Sequence, residues 1–294
     1  MTDFSELIQY LNQGNGIPLE VTVNSSTNWT QFAIAIGVAL LGSIFVLFMI
    51  YQAIKPNLIT LYLKLKLRKS LKKSGRRMII IKHTDFDLFS SSMIDNKTMM
   101  KLVNCMNKIE GKDFDLVLYT PGGEVFSAMY ISELLKSYPG KIRVIVPLYA
   151  MSGGTLLALS GNEIVMLPTS SLGPVDPQLG NLFKFGSAKS WDYIKRYKGK
   201  KSEDSTISFA LMGQQYTKSI SNHINYLLEN KIHNEKKRSN FVKLLTSGEI
   251  EHSKILTPNI LNSYGLDVKI AEPKDLREII KVLISKGFEG VHLI

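Results

Sequence analysis

The chain has 294 residues, a formal net charge of +11 and 45% hydrophobic content, a length that suits one large domain with attachments. Its single cysteine, Cys105, excludes an intramolecular disulfide framework and fits a reducing compartment. The sequence carries no cluster of residues at metal-ligand spacing, so no metal and no cofactor are expected.

Residues 1–31 are polar and slightly acidic, and Phe4, Leu7, Ile8 and Leu11 give Met1 to Gln13 the pattern of a short amphipathic helix. No basic stretch precedes an early apolar core, which argues against a cleaved signal peptide. From Phe32 to Ile54 the chain runs 23 residues without a charge. At ~1.5 Å per residue this spans a hydrocarbon core of ~30 Å. Trp29 and Tyr51 suit the two interfaces. Residues 32–54 therefore read as a transmembrane helix, with 1–31 as a short extracytoplasmic segment.

Residues 55–77 carry nine Lys and Arg and no acidic residue, whereas residues 1–31 carry no base. By the positive-inside rule the C-terminal bulk is cytoplasmic, on a single-pass protein of the cell membrane. Leu58, Leu61, Leu65, Leu67 and Leu71 interleave with the bases, which predicts a helix lying on anionic lipid. Nucleic acid is not expected as a partner, because the run abuts the membrane and Tyr62 is its one aromatic.

Residues 78–294 read as the globular domain. Strands are predicted at 78–82, 115–119, 142–146 and 163–167, and helices at 96–109, 124–137 and 151–160. Two further helices follow at 203–231 and 238–246, and a last one at 273–286. Alternation of this kind predicts an α/β domain with largely parallel strands. Residues 183–202 read as irregular and basic. Cys105 falls on the apolar side of its helix.

Two strand–helix junctions and one turn after a short strand carry the chemistry. Ser152, in Tyr149-Ala-Met-Ser-Gly-Gly-Thr155, stands on an elbow where the helix dipole favours negative charge; as a plain reading it is an N-cap followed by packing glycines. Gly122 and Gly123, in Thr120-Pro-Gly-Gly-Glu124, leave backbone N–H groups outward, as an oxyanion hole requires. The third is Leu172-Gly-Pro-Val-Asp-Pro-Gln178, where Asp176 either orders its own proline-bracketed turn or lines the pocket.

In this order and register, over roughly Met78 to Val268, the three motifs resemble the serine dehydrogenase proteinase family. That family is a membrane-bound branch of the ClpP/crotonase superfamily, related to signal peptide peptidase A. The resemblance implies a spiral of ββα units, hydrolysis of a peptide or protein substrate, and a homo-oligomer built through the helices after residue 203. It implies Ser152 as nucleophile and Gly122, Gly123 and Gly153 around the oxyanion. The family pattern often has alanine where this chain has Gly153.

The base is less determined. A serine hydroxyl needs a neighbour to take its proton, and no histidine lies between Ser152 and His223. Relatives with a Ser–Lys dyad direct attention to Lys198, with Lys200 and Lys201 beside it. His252, in Thr246-Ser-Gly-Glu-Ile-Glu-His252, is the alternative base. Two rival functions stand beside the serine protease: a non-catalytic membrane scaffold of the same fold, and a crotonase-like acyl-CoA enzyme.

Overall fold

The computed structural model describes residues 29–72, 75–83, 93–181, 184–285 and 288–294. The helix expected at Met1 to Gln13 lies outside them. The chain divides into two compact units, Met1–Ala53 and Ile54–Ile294. In the first, the described residues belong to helix α1 (Trp29–Lys72), whose segment Trp29–Gln52 is long and apolar enough to cross a membrane and is exposed along its length.

The second unit is built on a six-stranded sheet. Its strands are β1 (Arg77–Lys82), β2 (Phe114–Tyr119), β3 (Ile142–Val146), β5 (Glu163–Met166), β9 (Val268–Ile270) and β10 (Gly290–Leu293), ordered β10-β1-β2-β3-β5-β9. All neighbours are parallel except β10, which runs antiparallel to β1. Met78 to Lys82 are all buried, as expected of a parallel sheet covered on both faces.

Successive side chains point to opposite faces, and two cores form accordingly. Ile79, Leu116, Val144 and Ile164 pack under α2 (Asn96–Asn107), α3 (Val125–Lys136), α4 (Gly153–Ser160), α6 (Asp204–Leu228) and α7 (Glu235–Thr246). Met78, Ile80, Val117 and Ile145 pack on the other face, against Leu276, Ile279 and Leu283 of α9 (Pro273–Ile284). That second core also takes Leu67, 3% exposed, with Leu63 and Leu71 beside it.

Residues 55–72 thus differ from the expectation of a lipid-lying linker. Leu58, Leu61 and Leu65 are exposed, but Leu67 and Leu71 face the protein. The reason is periodicity: positions 63, 67 and 71 recur every four residues and make one helical stripe, whose apolar partner is α9 rather than lipid.

A second, smaller layer sits at the ends of the parallel strands. β3 continues through Pro147 into β4 (Tyr149–Ala150), which pairs with β6 (Ser171–Leu172) following β5. Isolated bridges add Thr120 beside Ala150, Leu256 beside Leu172, and Ile94 beside Gly123. β3 and β5 therefore each end in a short strand of the second layer, and β2 reaches it through the Thr120 bridge. Functional groups gather in this second layer.

Residues 183–202, expected to be irregular, contain ordered elements. β7 (Gln178–Gly180) and β8 (Phe185–Ser187) form an antiparallel ribbon, followed by α5 (Ala188–Lys198) and a 3-10 turn, Gly199–Lys201. Trp191 and Ala188 anchor α5, with the Trp191 indole N–H donating to Leu179 O at 2.9 Å. Helix α8 (Pro258–Ser263) precedes β9.

Candidate active site

Ser152 joins β4 to α4 with φ 50° and ψ −118°, and among the described residues only Glu110 shares a positive φ without being glycine. Such a backbone costs about 1–3 kcal/mol and persists only when its surroundings impose it. Here they do. Met151 N–H donates to Thr120 O at 2.9 Å, Thr120 N–H donates to Tyr149 O at 3.3 Å, and Thr155 N–H donates to Ser152 O at 2.8 Å. The Ser152 hydroxyl makes no capping bond to the helix it begins. It is an N-cap by position only, and its oxygen is left for other work.

The glycines after it are required by close approach. A Cβ on Gly154 would stand 2.6 Å from Thr120 Cγ2, and one on Gly153 would stand 2.8 Å from Ala128 Cβ of α3. The alanine frequent in the family pattern would thus need α3 to yield slightly.

Gly122 and Gly123 take different parts. Gly122 has φ 112°, and a Cβ there would meet Ser152 Cβ at 2.8 Å. Its N–H donates to Thr120 Oγ1 at 3.1 Å and its carbonyl accepts from Ile94 N–H at 2.8 Å. Gly122 N–H, expected at the oxyanion, is thus engaged by Thr120, and the residue makes room beside Ser152. In a trans peptide the C=O and N–H point opposite ways, so with Gly122 O held by Ile94, Gly123 N–H faces away from Ile94. That direction leads toward Gly153, whose Cβ position is 3.6 Å from Gly123 N. Gly153 N–H is in turn a first-turn donor that no intrahelical carbonyl accepts. A Cβ on Gly123 would collide with Ile94 O at 2.1 Å.

Ser152, Gly123 and Gly153 line a cavity of about 310 Å³ together with Asp176, Gln178 and His252. Its remaining wall is apolar, with Val125, Leu156, Phe185 and Ile220 among the lining side chains. A larger cleft of about 560 Å³ lies on the other face of the sheet, lined by Asp115, Arg143 and α9 residues, without a nucleophile or an imidazole. Among the described residues no group of His, Cys, Asp and Glu could hold a metal ion.

Asp176 is buried, and its carboxylate has two partners. His252 Nδ1 is 2.7 Å from Oδ1, and the Gln178 amide donates to Oδ2 at 2.7 Å. The Gln178 nitrogen also lies 3.3 Å from His252 Nδ1, but both atoms are donors once Nδ1 serves Asp176, so that approach is a contact only. With its proton on Nδ1, His252 keeps the Nε2 lone pair as its basic site.

The two loops meet because Leu172 and Leu256 exchange backbone bonds of 3.1 and 2.9 Å, and Val175 N–H donates to Leu245 O at 2.7 Å. Thr155 then ties the elbow to the same loop, its hydroxyl donating to Gly173 O at 2.8 Å or Ala150 O at 3.0 Å while accepting from Gly173 N–H at 3.1 Å.

Lys198, expected as the base, lies elsewhere. It ends α5, and Lys200 and Lys201 follow in the 3-10 turn; all three are exposed and none lines the cavity. The buried face of α5 is Ala188 and Trp191, so its lysines project into solvent and the burial by which a lysine becomes a base is absent. Of the candidate bases, His252 lines the cavity, beside Asp176. Cys105 is half-buried, and burial pushes its thiol upward, as suits an inert side chain.

A strained serine, two glycines and an imidazole–carboxylate pair thus line one cavity. A family model for the ClpP-like SDH-type serine proteinases matches residues 35–286, and the chain belongs to that family. Two relatives are uncharacterized proteins of Methanocaldococcus jannaschii. MJ0137 is 34% identical over 188 residues, covering 64% of this chain and 64% of the relative. MJ1495 is 34% identical over 173 residues, covering 59% and 58%. The matches thus span less than two thirds of these relatives. Among solved structures, a mutant form of the 1510-N membrane-bound stomatin-specific protease aligns at 20% identity with a TM-score of 0.43, covering 65% of this chain and 79% of that one.

Proposed function

We propose that this chain is a membrane-anchored serine peptidase in which Ser152 is the nucleophile, His252 the general base and Asp176 the group that orients and stabilises the imidazole. Ser152 Oγ attacks the scissile carbonyl while His252 Nε2 takes its proton. The resulting oxyanion lies against Gly123 and Gly153 N–H. Collapse of that intermediate expels the amine, which receives the proton from His252, and water then releases the acyl group by the same steps. The observation that carries the reading is the 2.7 Å bond between His252 Nδ1 and Asp176 Oδ1 in the cavity that Ser152 lines. The apolar wall favours a peptide that offers an apolar side chain beside the scissile bond.

The test is covalent labelling of the full-length protein in detergent with a fluorophosphonate, followed by peptide mapping. Modification at Ser152 is the expected result. An unlabelled but folded protein would favour a scaffold or a crotonase-like acyl-CoA enzyme, since neither uses a serine nucleophile.

Anchoring rests on the Trp29–Gln52 segment, and orientation on the excess of bases at 55–77. With the catalytic unit in the cytoplasm, protease added to intact cells leaves residues 78–294 whole, and permeabilised cells lose them. Digestion from outside would reverse the orientation.

A further inference from the structure

His83 directly follows β1 and is 2% exposed. Its N–H donates to Tyr119 O at 2.8 Å, which seats it under the Thr120-Pro-Gly-Gly turn. The ring has a partner on each side: Nδ1 is 3.0 Å from Thr120 Oγ1, and Nε2 is 3.3 Å from Thr98 Oγ1. Thr98 Oγ1 is 2.9 Å from Asp95 Oδ1, and Gly122 N–H donates to Thr120 Oγ1 at 3.1 Å.

The directions of these bonds follow from the number of protons. The Asp95 carboxylate can only accept, so the Thr98 hydroxyl donates to it and its oxygen accepts from His83 Nε2–H. Nδ1 is then a lone pair and accepts from the Thr120 hydroxyl, whose oxygen accepts Gly122 N–H. Thr98 Oγ1 also lies 3.2 Å from Met93 O and Thr120 Oγ1 3.5 Å from Gly122 O, both longer than the 2.9 and 3.0 Å bonds that these hydroxyls donate above. The arrangement built on the shorter bonds satisfies every member with a neutral imidazole, and Gly122 N–H donates to Thr120 Oγ1 in either tautomer.

This series ends on the backbone beside the nucleophile. Thr120 already clasps the Ser152 elbow through its own N–H and carbonyl. Its side chain fixes the peptide entering Gly122, while Ile94 fixes the peptide leaving it. The second of these peptides carries Gly123 N–H.

We propose that Asp95, Thr98, His83 and Thr120 form a positioning relay that sets the orientation of the Gly123 N–H, so that His83 and Thr120 govern oxyanion stabilisation without touching substrate. This rests on the reading of Ser152 as nucleophile and Gly123 as donor. Burial holds the His83 ring down to about 4, against the opposing pull of Asp95 and Glu289 and with the help of Lys101. The imidazole is therefore neutral throughout the neutral range, as the relay requires. Protonation in strong acid would turn Nδ1 into a donor and reverse the Thr120 hydroxyl.

The experiment compares Thr120→Val, Thr120→Ser and His83→Gln with wild type in the full-length protein in detergent. It measures kcat and KM on a fluorogenic peptide, Ki for a peptide boronate, and the thermal midpoint. The boronate adduct presents an oxyanion, whereas ground-state substrate does not. Thr120→Val is expected to lower kcat and weaken boronate binding in parallel, each by about 10–100-fold, with KM within about threefold; a whole oxyanion donor is worth ~10²–10³. Thr120→Ser restores both, and His83→Gln reduces both to an intermediate degree.

A Thr120→Val enzyme with unchanged kcat and boronate affinity would overturn the relay, as would a loss confined to KM or one that serine does not restore. If Thr120→Val fails to fold, the paired behaviour of Thr120→Ser and His83→Gln decides by the same criterion. A wild type that hydrolyses peptide but binds no boronate, with Ser152→Ala equally active, would instead remove the nucleophile reading and the relay with it.

Discussion

Ser152→Ala is expected to abolish fluorophosphonate labelling and to lower peptide hydrolysis on the order of 10⁴–10⁶-fold, with the thermal midpoint unchanged or raised. The magnitude follows from the logic of covalent catalysis: once the attacking oxygen is gone, the imidazole and the oxyanion donors have nothing to activate, and only a residual effect over water remains. The stability expectation follows from the backbone. Ser152 holds φ 50° and its hydroxyl caps nothing, so the substitution removes no structural bond. Full hydrolysis by the alanine variant would show that the elbow is packing alone.

The second large effect concerns the base. His252→Ala is expected to lower kcat on the order of 10⁴-fold, because a serine hydroxyl without a proton acceptor is a poor nucleophile. Lys198→Ala, Lys200→Ala and Lys201→Ala should each stay within about twofold of wild type, since all three are exposed and outside the cavity. Lys198→Arg is equally tolerated on this reading, whereas a lysine base would fail at that substitution because a guanidinium does not deprotonate. Loss of activity in the lysine variants with retention in His252→Ala would reverse the assignment.

How far the sequence announced this arrangement depends on the range of the interactions involved. Strands β1, β2 and β3 are buried apolar runs bounded by turn residues, and the helices between them carry a 3.6-residue stripe, so local pattern located them within a residue or two. Helix α5 was invisible to that test. Only Ala188 and Trp191 of its eleven residues are buried, too few to show a period among four bases. Its ends carried the better signal: Ser187 caps it by accepting from Ser190 N–H at 3.1 Å, and Gly199 stops it with φ 53°.

The site divides in the same way. Ser152, Gly123 and Gly153 sit on strand–helix junctions, where short motifs record a backbone requirement. Asp176 and His252 lie 76 residues apart, and what joins them is the Leu172–Leu256 pairing, a long-range contact with no periodic trace. The resemblance to relatives with a Ser–Lys dyad therefore points to Lys198, while His252 stands only as the alternative base and Asp176 as a residue of its own turn or of the pocket wall. The different engagement of Gly122 and Gly123 has a similar origin: which of two adjacent amides is taken up depends on Thr120 and on Ile94, about thirty positions upstream.

The stripe at Leu63, Leu67 and Leu71 has a practical bearing on how the catalytic unit can be detached from its anchor. A tether of solvated chain can be cut without harm to what it holds. Here the last turns of α1 supply apolar cover to Met78, Ile80 and α9, and burying one leucine is worth roughly 1.5–3 kcal/mol. A truncation beginning at Met78 would strip that cover and leave an adhesive face, whereas one beginning near Ile54 keeps it. Cleavage by a second protease between 63 and 72 would accordingly leave an aggregation-prone remnant, whereas cleavage nearer Ile54 would release a domain with its cover intact.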